Sequence, residues 1–169
     1  MKNRNENKNE ITFTMGLPAA GKSSVVANHF AGYNIIDPDE IKKASPLYTT
    51  WLNDRDAVPT LHDDSTDAAE VMFDNAVANK TGNYVVDGTG TNADKMVEKI
   101  NRAKSAGFTV TVVWVKISLG NAIVRNAKRE RTVPTYVLVE KAKVISTSYN
   151  IVMKYADNAI VIDNNKTTK

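Results

Sequence analysis

Cysteine is absent from the 169 residues. That removes disulfides, thiolate metal ligands and a cysteine nucleophile together, and it suits a reducing compartment. Proline (5) and glycine (8) are few, too few for a collagen-like or low-complexity chain. Long apolar runs are missing as well. None approaches the roughly 20 residues of a membrane span, and the polar start MKNRNENKNE lacks the apolar stretch of a secretory signal. Nor is there a large excess of one charge: 22 Lys+Arg against 19 Asp+Glu leaves +3. So small a net charge does not by itself announce nucleic-acid binding, although the pI near 9.0 leans weakly that way. What is left, 42% hydrophobic and 24% charged, is ordinary globular composition at about one domain's length. The expectation is a disordered polar tail over 1–10 and a single cytoplasmic domain over 11–169.

Along the chain, period-two segments alternate with helical ones. Ile11–Met15 reads as a strand, Lys22–Phe30 as a helix stopped near Gly32, and Asn34–Asp37 as a second strand. Pro38–Ala44 starts a helix with proline at its favoured first position. Residues 45–65 have no clean period, and helical spacing resumes with Ala69, Met72, Phe73, Ala76 and Val77. Tyr84–Asp87 is a third strand, Asn92–Ala106 a helix, and Phe108–Ile117 a β-branched strand buried on both faces. Leu138, Ala142, Ile145, Tyr149 and Val152 mark an amphipathic helix before a last strand at Ala159–Ile162. Strands alternating with helices predict a three-layer α/β/α sandwich around a parallel sheet.

One motif carries explicit chemistry. Gly16-Leu17-Pro18-Ala19-Ala20-Gly21-Lys22-Ser23 fits G-x-x-x-x-G-K-[ST] at every fixed position. Its glycines let successive backbone N–H groups turn inward on phosphate oxygens, and the next helix adds its positive N-terminus. Over Gly16–Ser24 this predicts a cradle for ATP, with Lys22 on the β- and γ-phosphates and Ser23 on Mg²⁺. Strand, loop and helix in that order make this the P-loop NTPase/kinase fold.

Three further segments surround the motif: Ile35-Ile-Asp37-Pro-Asp39-Glu-Ile-Lys42, Tyr84-Val-Val-Asp87-Gly-Thr89-Gly-Thr91-Asn92, and Arg125-Asn-Ala-Lys-Arg129-Glu-Arg131-Thr-Val-Pro134. Each has a plain structural reading. Asp37 with Glu40 makes a capping box, Asp87-Gly88 an ordinary turn, Thr89 or Asn92 a helix cap, and the arginines a basic surface helix. Taken in order after the phosphate loop, the segments resemble the small P-loop kinases that include zeta toxins and the kinase domains of polynucleotide kinases. The resemblance runs from Ile11 to about Asn164.

The resemblance implies an ATP-dependent phosphotransferase with an alcohol acceptor. Asp39 is then the carboxylate that activates the acceptor hydroxyl, and Lys42 contacts the acceptor's own phosphate. Asp87, past a hydrophobic strand, holds Mg²⁺ or the acceptor, and Thr89, Asn92 and His62 are acceptor contacts. Arg125 and Arg129, four apart and so on one helical face, close over the phosphates as a lid. Trp51 and Tyr48 anchor a loop, or stack on a base. The acceptor expected first is nucleic acid or a nucleotide, through a 5′-hydroxyl or a hydroxymethylated base in DNA as in related phage enzymes. A UDP-linked amino sugar, as for zeta toxins, is the alternative, because Asp87-Gly-Thr89 departs from the Asp-x-Thr-Asn form. A nucleotide-binding switch that hydrolyses ATP with no acceptor is the rival of another class. Oligomeric state is not legible.

Overall fold

Strand β1 (Glu10–Met15) alternates an apolar set, Ile11, Phe13 and Met15, with Thr12 and Thr14, and every one of the five is buried. Successive side chains of a strand point to opposite faces, so β1 must be covered on both faces of the sheet. The protein is described here by a computed structural model covering residues 9–44, 60–130 and 132–165, the side chains of Lys42 and of residues 60–66 excepted. In it β1 lies in the middle of a five-stranded sheet ordered β2-β3-β1-β4-β5. The other strands are β2 (Asn34–Ile36), β3 (Asn83–Val86), β4 (Thr109–Lys116) and β5 (Asn158–Asp163). All four pairings are parallel, with Phe13 opposite Val86 on one side and Val112 on the other.

Among the described residues six helices flank the sheet in the expected three-layer arrangement: α1 (Lys22–His29), α2 (Pro38–Lys43), α3 (Thr60–Asn79), α4 (Ala93–Ser105), α5 (Leu119–Ala127) and α6 (Thr135–Val152). On the face of Phe13, α3 packs through Phe73, their rings 6.0 Å apart. There α6 brings Tyr149 to 5.0 Å from Trp114 of β4. Lys99 and Arg102 of α4 lay their charges over the Phe73 ring at 5.3 and 5.1 Å and bond Glu70 and Asp74 of α3. Val110, Val112, Val113 and Val115 of β4 are buried, as a two-sided strand requires.

Three boundaries differ from the sequence reading, each for a physical reason. Asn9 and Glu10 are not tail. Asn9 O accepts Thr109 N at 2.9 Å, and the Glu10 carboxylate accepts from Tyr33 (2.5 Å) and Thr111 (2.9 Å), so the strand begins before its first apolar residue. Helix α3 begins at Thr60, well before the apolar spacing starts at Ala69. Its first turns are Leu-His-Asp-Asp-Ser-Thr, and a polar helical turn leaves no hydrophobic period to read, although aspartates there suit the helix N-terminus. The helix carrying Arg125 stops at Ala127. Arg129 therefore does not share a helical face with Arg125, and the i,i+4 pairing does not form.

Candidate functional site

Parallel strands bring their carboxyl ends to one edge of the sheet, where such folds bind ligands. Met15 there runs into Gly16, Ile36 into Asp37 and Val86 into Asp87. Because β3 lies between β1 and β2, two segments far apart in sequence meet beside the phosphate loop.

The loop's glycines answer to close contacts. A side chain at Gly16 would bring its Cβ to 2.9 Å from Val115 O. Gly21, in the left-handed region at φ 92°, is the N-cap of α1, and a Cβ on it would meet Asn164 Nδ2 at 2.4 Å. No side chain caps α1, and Ser23 and Ser24 on its first turn are exposed, so its first N–H groups are available to an anion. Leu17 O accepts Ala20 N at 3.0 Å, closing the turn that contains Pro18 and Ala19. Lys22 Nζ donates to Gly16 O (2.9 Å) and Leu17 O (3.1 Å). Burial pushes the Lys22 amine down, while the charges of Asp87, Asp39 and Asp37 oppose that and Arg129 reinforces it. Three carboxylates and an arginine are thus within electrostatic reach of Lys22.

The carboxylates form a second cluster. The Thr14 hydroxyl donates to Asp87 Oδ1 and accepts Gly88 N at 3.1 Å. Asp87 N bonds Ile36 O at 2.9 Å, which ties the end of β3 to the end of β2. Asp37 Oδ1 accepts Asp39 N at 2.9 Å, the bond expected of a residue starting α2. Burial, then the Asp87 charge, raises the Asp37 carboxyl to about 7. Crowded negative charge of this kind is relieved by a proton or a cation. Mg²⁺ takes one or two carboxylates together with waters and substrate phosphates. The donor set here, Asp87 and the exposed Ser23 hydroxyl, fits it. Among the described residues no group of three or more His, Cys, Asp or Glu side chains forms a cage that would hold a metal without phosphate.

The remaining predicted residues are distributed as follows. Thr89 O accepts Gly16 N at 3.0 Å, so Thr89 borders the phosphate loop, and its hydroxyl lies 3.4 Å from that of Thr91. Asn92 caps α4 by accepting Lys95 N at 3.1 Å. Arg125 Nη2 donates to Asn164 O at 2.7 Å, and Asn164 Nδ2 donates to Ala20 O at 2.7 Å. Arg125 is therefore linked to the loop's backbone through Asn164. Arg129 lies within electrostatic reach of Lys22. The side chains of Lys42 and His62, together with Tyr48, Trp51 and Arg131, lie outside the described residues. Sequence reasoning missed two residues. Thr14 was legible as a polar residue alternating into a buried strand. Asn164 carried no signal, because its partners are more than 35 positions away.

A comparison with curated proteins finds no match. Several solved structures share the fold. A chain of the PezAT chromosomal toxin–antitoxin system of Streptococcus pneumoniae superposes with TM-score 0.65 at 15% identity, over 96% of this chain and 75% of that one. Deoxyadenosine kinase from M. mycoides with bound dATP gives 0.60 at 16% identity, over 94% and 93%. A gluconokinase from Sinorhizobium meliloti gives 0.57 at 15% identity, over 95% and 85%. No helix among the described residues is long and apolar enough to cross a membrane. The AAA domain model AAA_33 matches residues 11–147, from β1 through the phosphate loop and both acidic segments into α6, and the chain belongs to that family of P-loop proteins.

Proposed function

We propose that the protein is an ATP-dependent kinase that moves the γ-phosphoryl group to an alcohol of a nucleic acid or nucleotide. One observation carries the reading: the carboxyl ends of β2 and β3, tied by Asp87 N to Ile36 O, bring Asp37, Asp39 and Asp87 within electrostatic reach of the phosphate-loop lysine Lys22, which Arg129 also reaches. Phosphoryl transfer needs both, positive charge on the phosphates and a carboxylate for the incoming hydroxyl.

In this reading the amides of Gly16–Ser24 bind phosphate oxygens and Lys22 exchanges its bonds to Gly16 O and Leu17 O for the β- and γ-oxygens. Asp39, exposed at the start of α2, takes the hydroxyl proton as the acceptor oxygen bonds phosphorus and the bond to the β-phosphate oxygen breaks, releasing ADP. Arg129 neutralises charge gathering on the transferred group. Ser23 and Asp87 would hold Mg²⁺, which when bound would supply further neutralisation. Thr89 and Asn92 border the acceptor side, with Lys42 and His62 proposed there from sequence, and Arg125 supports the loop through Asn164.

The test is transfer of labelled γ-phosphate to single- and double-stranded DNA with 5′-hydroxyl ends, DNA containing hydroxymethyluracil, RNA, nucleosides, gluconate and UDP-N-acetyl sugars. Label on a nucleic acid or nucleoside, lost in Asp39→Asn while ATP still binds, is the expected result. Label on a UDP-sugar would move the acceptor to the zeta-toxin class, a reading favoured by the Asp87-Gly-Thr89 segment. Phosphate released at a rate that no acceptor changes would make the protein a nucleotide switch.

A further inference from the structure

Asn126 has no part in the assignments above, yet it is among the few buried polar residues, 5% exposed near the end of α5. Its carboxamide meets one residue twice. Nδ2 donates to Val133 O at 2.8 Å, and Oδ1 accepts Val133 N at 3.0 Å. Its own carbonyl accepts Arg129 N at 3.1 Å. A single asparagine thus ties the end of α5 both to Arg129 and to the residue before Pro134, the N-cap of α6. Only a primary amide presents a donor and an acceptor side by side in this way. Aspartate lacks the donor, and leucine lacks both.

What the tie holds is unusual. Arg129 Nη1 is buried and has no hydrogen-bond partner among the described residues. Buried donors are nearly always satisfied, and an exception calls for an account. The account here is placement: the guanidinium lies within electrostatic reach of Lys22, whose loop is shaped for phosphate oxygens, and such oxygens are what guanidinium donors bond well.

We propose that Asn126 is a positioning residue for phosphoryl transfer, whose two-bond clamp on Val133 holds Arg129 beside the phosphate loop before nucleotide arrives. The inference rests on the kinase reading and goes beyond it by assigning a residue that touches neither nucleotide nor acceptor. Positioning through another residue has a signature that general support of the fold lacks: the loss disappears once that other residue is gone.

The experiment is a double-mutant cycle on the full chain, reading kcat and KM for ADP release from Mg·ATP in wild type, Asn126→Ala, Arg129→Ala and the double variant. Asn126→Ala is expected to lower kcat about tenfold with KM changed less than about threefold, and to cost less than about twofold in the Arg129→Ala background. An equal loss in both backgrounds would overturn the proposal and leave Asn126 a structural clamp. Lys22→Ala separates the two levels of inference. Turnover that survives it overturns the kinase reading, whereas turnover that needs Lys22 and ignores Arg129→Ala overturns the positioning of Arg129 alone. Asn126→Asp keeps the shape and removes the donor, and replaces Asn126→Ala in the cycle if that variant does not fold. Trypsin nicking after Lys128 and Arg129 reads the clamp without turnover. Asn126→Asp should be cut at least about fivefold faster than wild type without nucleotide, and equal rates would refute the clamp.

Discussion

Replacing Asp37 with asparagine should make the protein more stable above neutral pH and leave it unchanged in acid. Asp37 sits against Asp87, and burial together with that charge raises its carboxyl from 3.8 to about 7. A carboxyl raised on folding binds its proton more tightly in the folded than in the unfolded chain. Its stabilising contribution is then fully present below pH 4 and is lost as pH climbs through about 7. The displacement corresponds to about 4 kcal/mol, and because Asp37 is only partly buried, screening by solvent reduces this to about 2 kcal/mol. Asparagine mimics the protonated acid, and its Oδ1 can still accept Asp39 N. At pH 8 the variant should therefore melt about 4–8 °C above wild type, and at pH 4 the two should melt together. Thermal unfolding of both proteins from pH 4 to 8.5 in chelator measures this. A difference in melting temperature that is constant with pH would refute the assignment of charge repulsion between Asp37 and Asp87.

Asp39→Asn should reduce phosphoryl transfer at least about a hundredfold while nucleotide affinity, read by titration calorimetry, stays within about threefold. Gly21→Ala forces a Cβ to 2.4 Å from Asn164 Nδ2 at a left-handed φ, so it should cost about 1–2 kcal/mol of stability and weaken ATP binding. Asn164→Ala removes the clash and leaves the strain, and therefore restores only part of the loss. Phe73→Ala empties a fully buried site beneath Phe13, Lys99 and Arg102. The expected loss is about 3–5 kcal/mol in denaturant melts, and a loss under 1 kcal/mol would mean that α3 does not pack on the sheet as described.

Much of this architecture could be read from the residues in order, because it is local. The run from β1 through the phosphate loop into α1 is contiguous, its glycines and lysine have one chemistry that explains them together, and the β-branched stretch of β4 announces a strand covered on both faces. Period and turn chemistry reach only as far as neighbours along the chain, so α3 was legible from Ala69, where apolar spacing begins, and not at its polar start. Nor could they show where Arg129 stands. Its place depends on where α5 ends, at Ala127, beside the bonds of Asn126 to Val133 and to Arg129 N. The meeting of Asp37 with Asp87, the hydroxyl of Thr14 beneath them, and the strap of Asn164 from β5 to the loop all follow from strand order. Parallel strands here place side by side residues that lie 47 or more positions apart, and no periodicity in a sequence encodes which strand inserts between which. The chemistry of each group was thus carried by its residue type, and the geometry in which the groups act together was decided by the sheet.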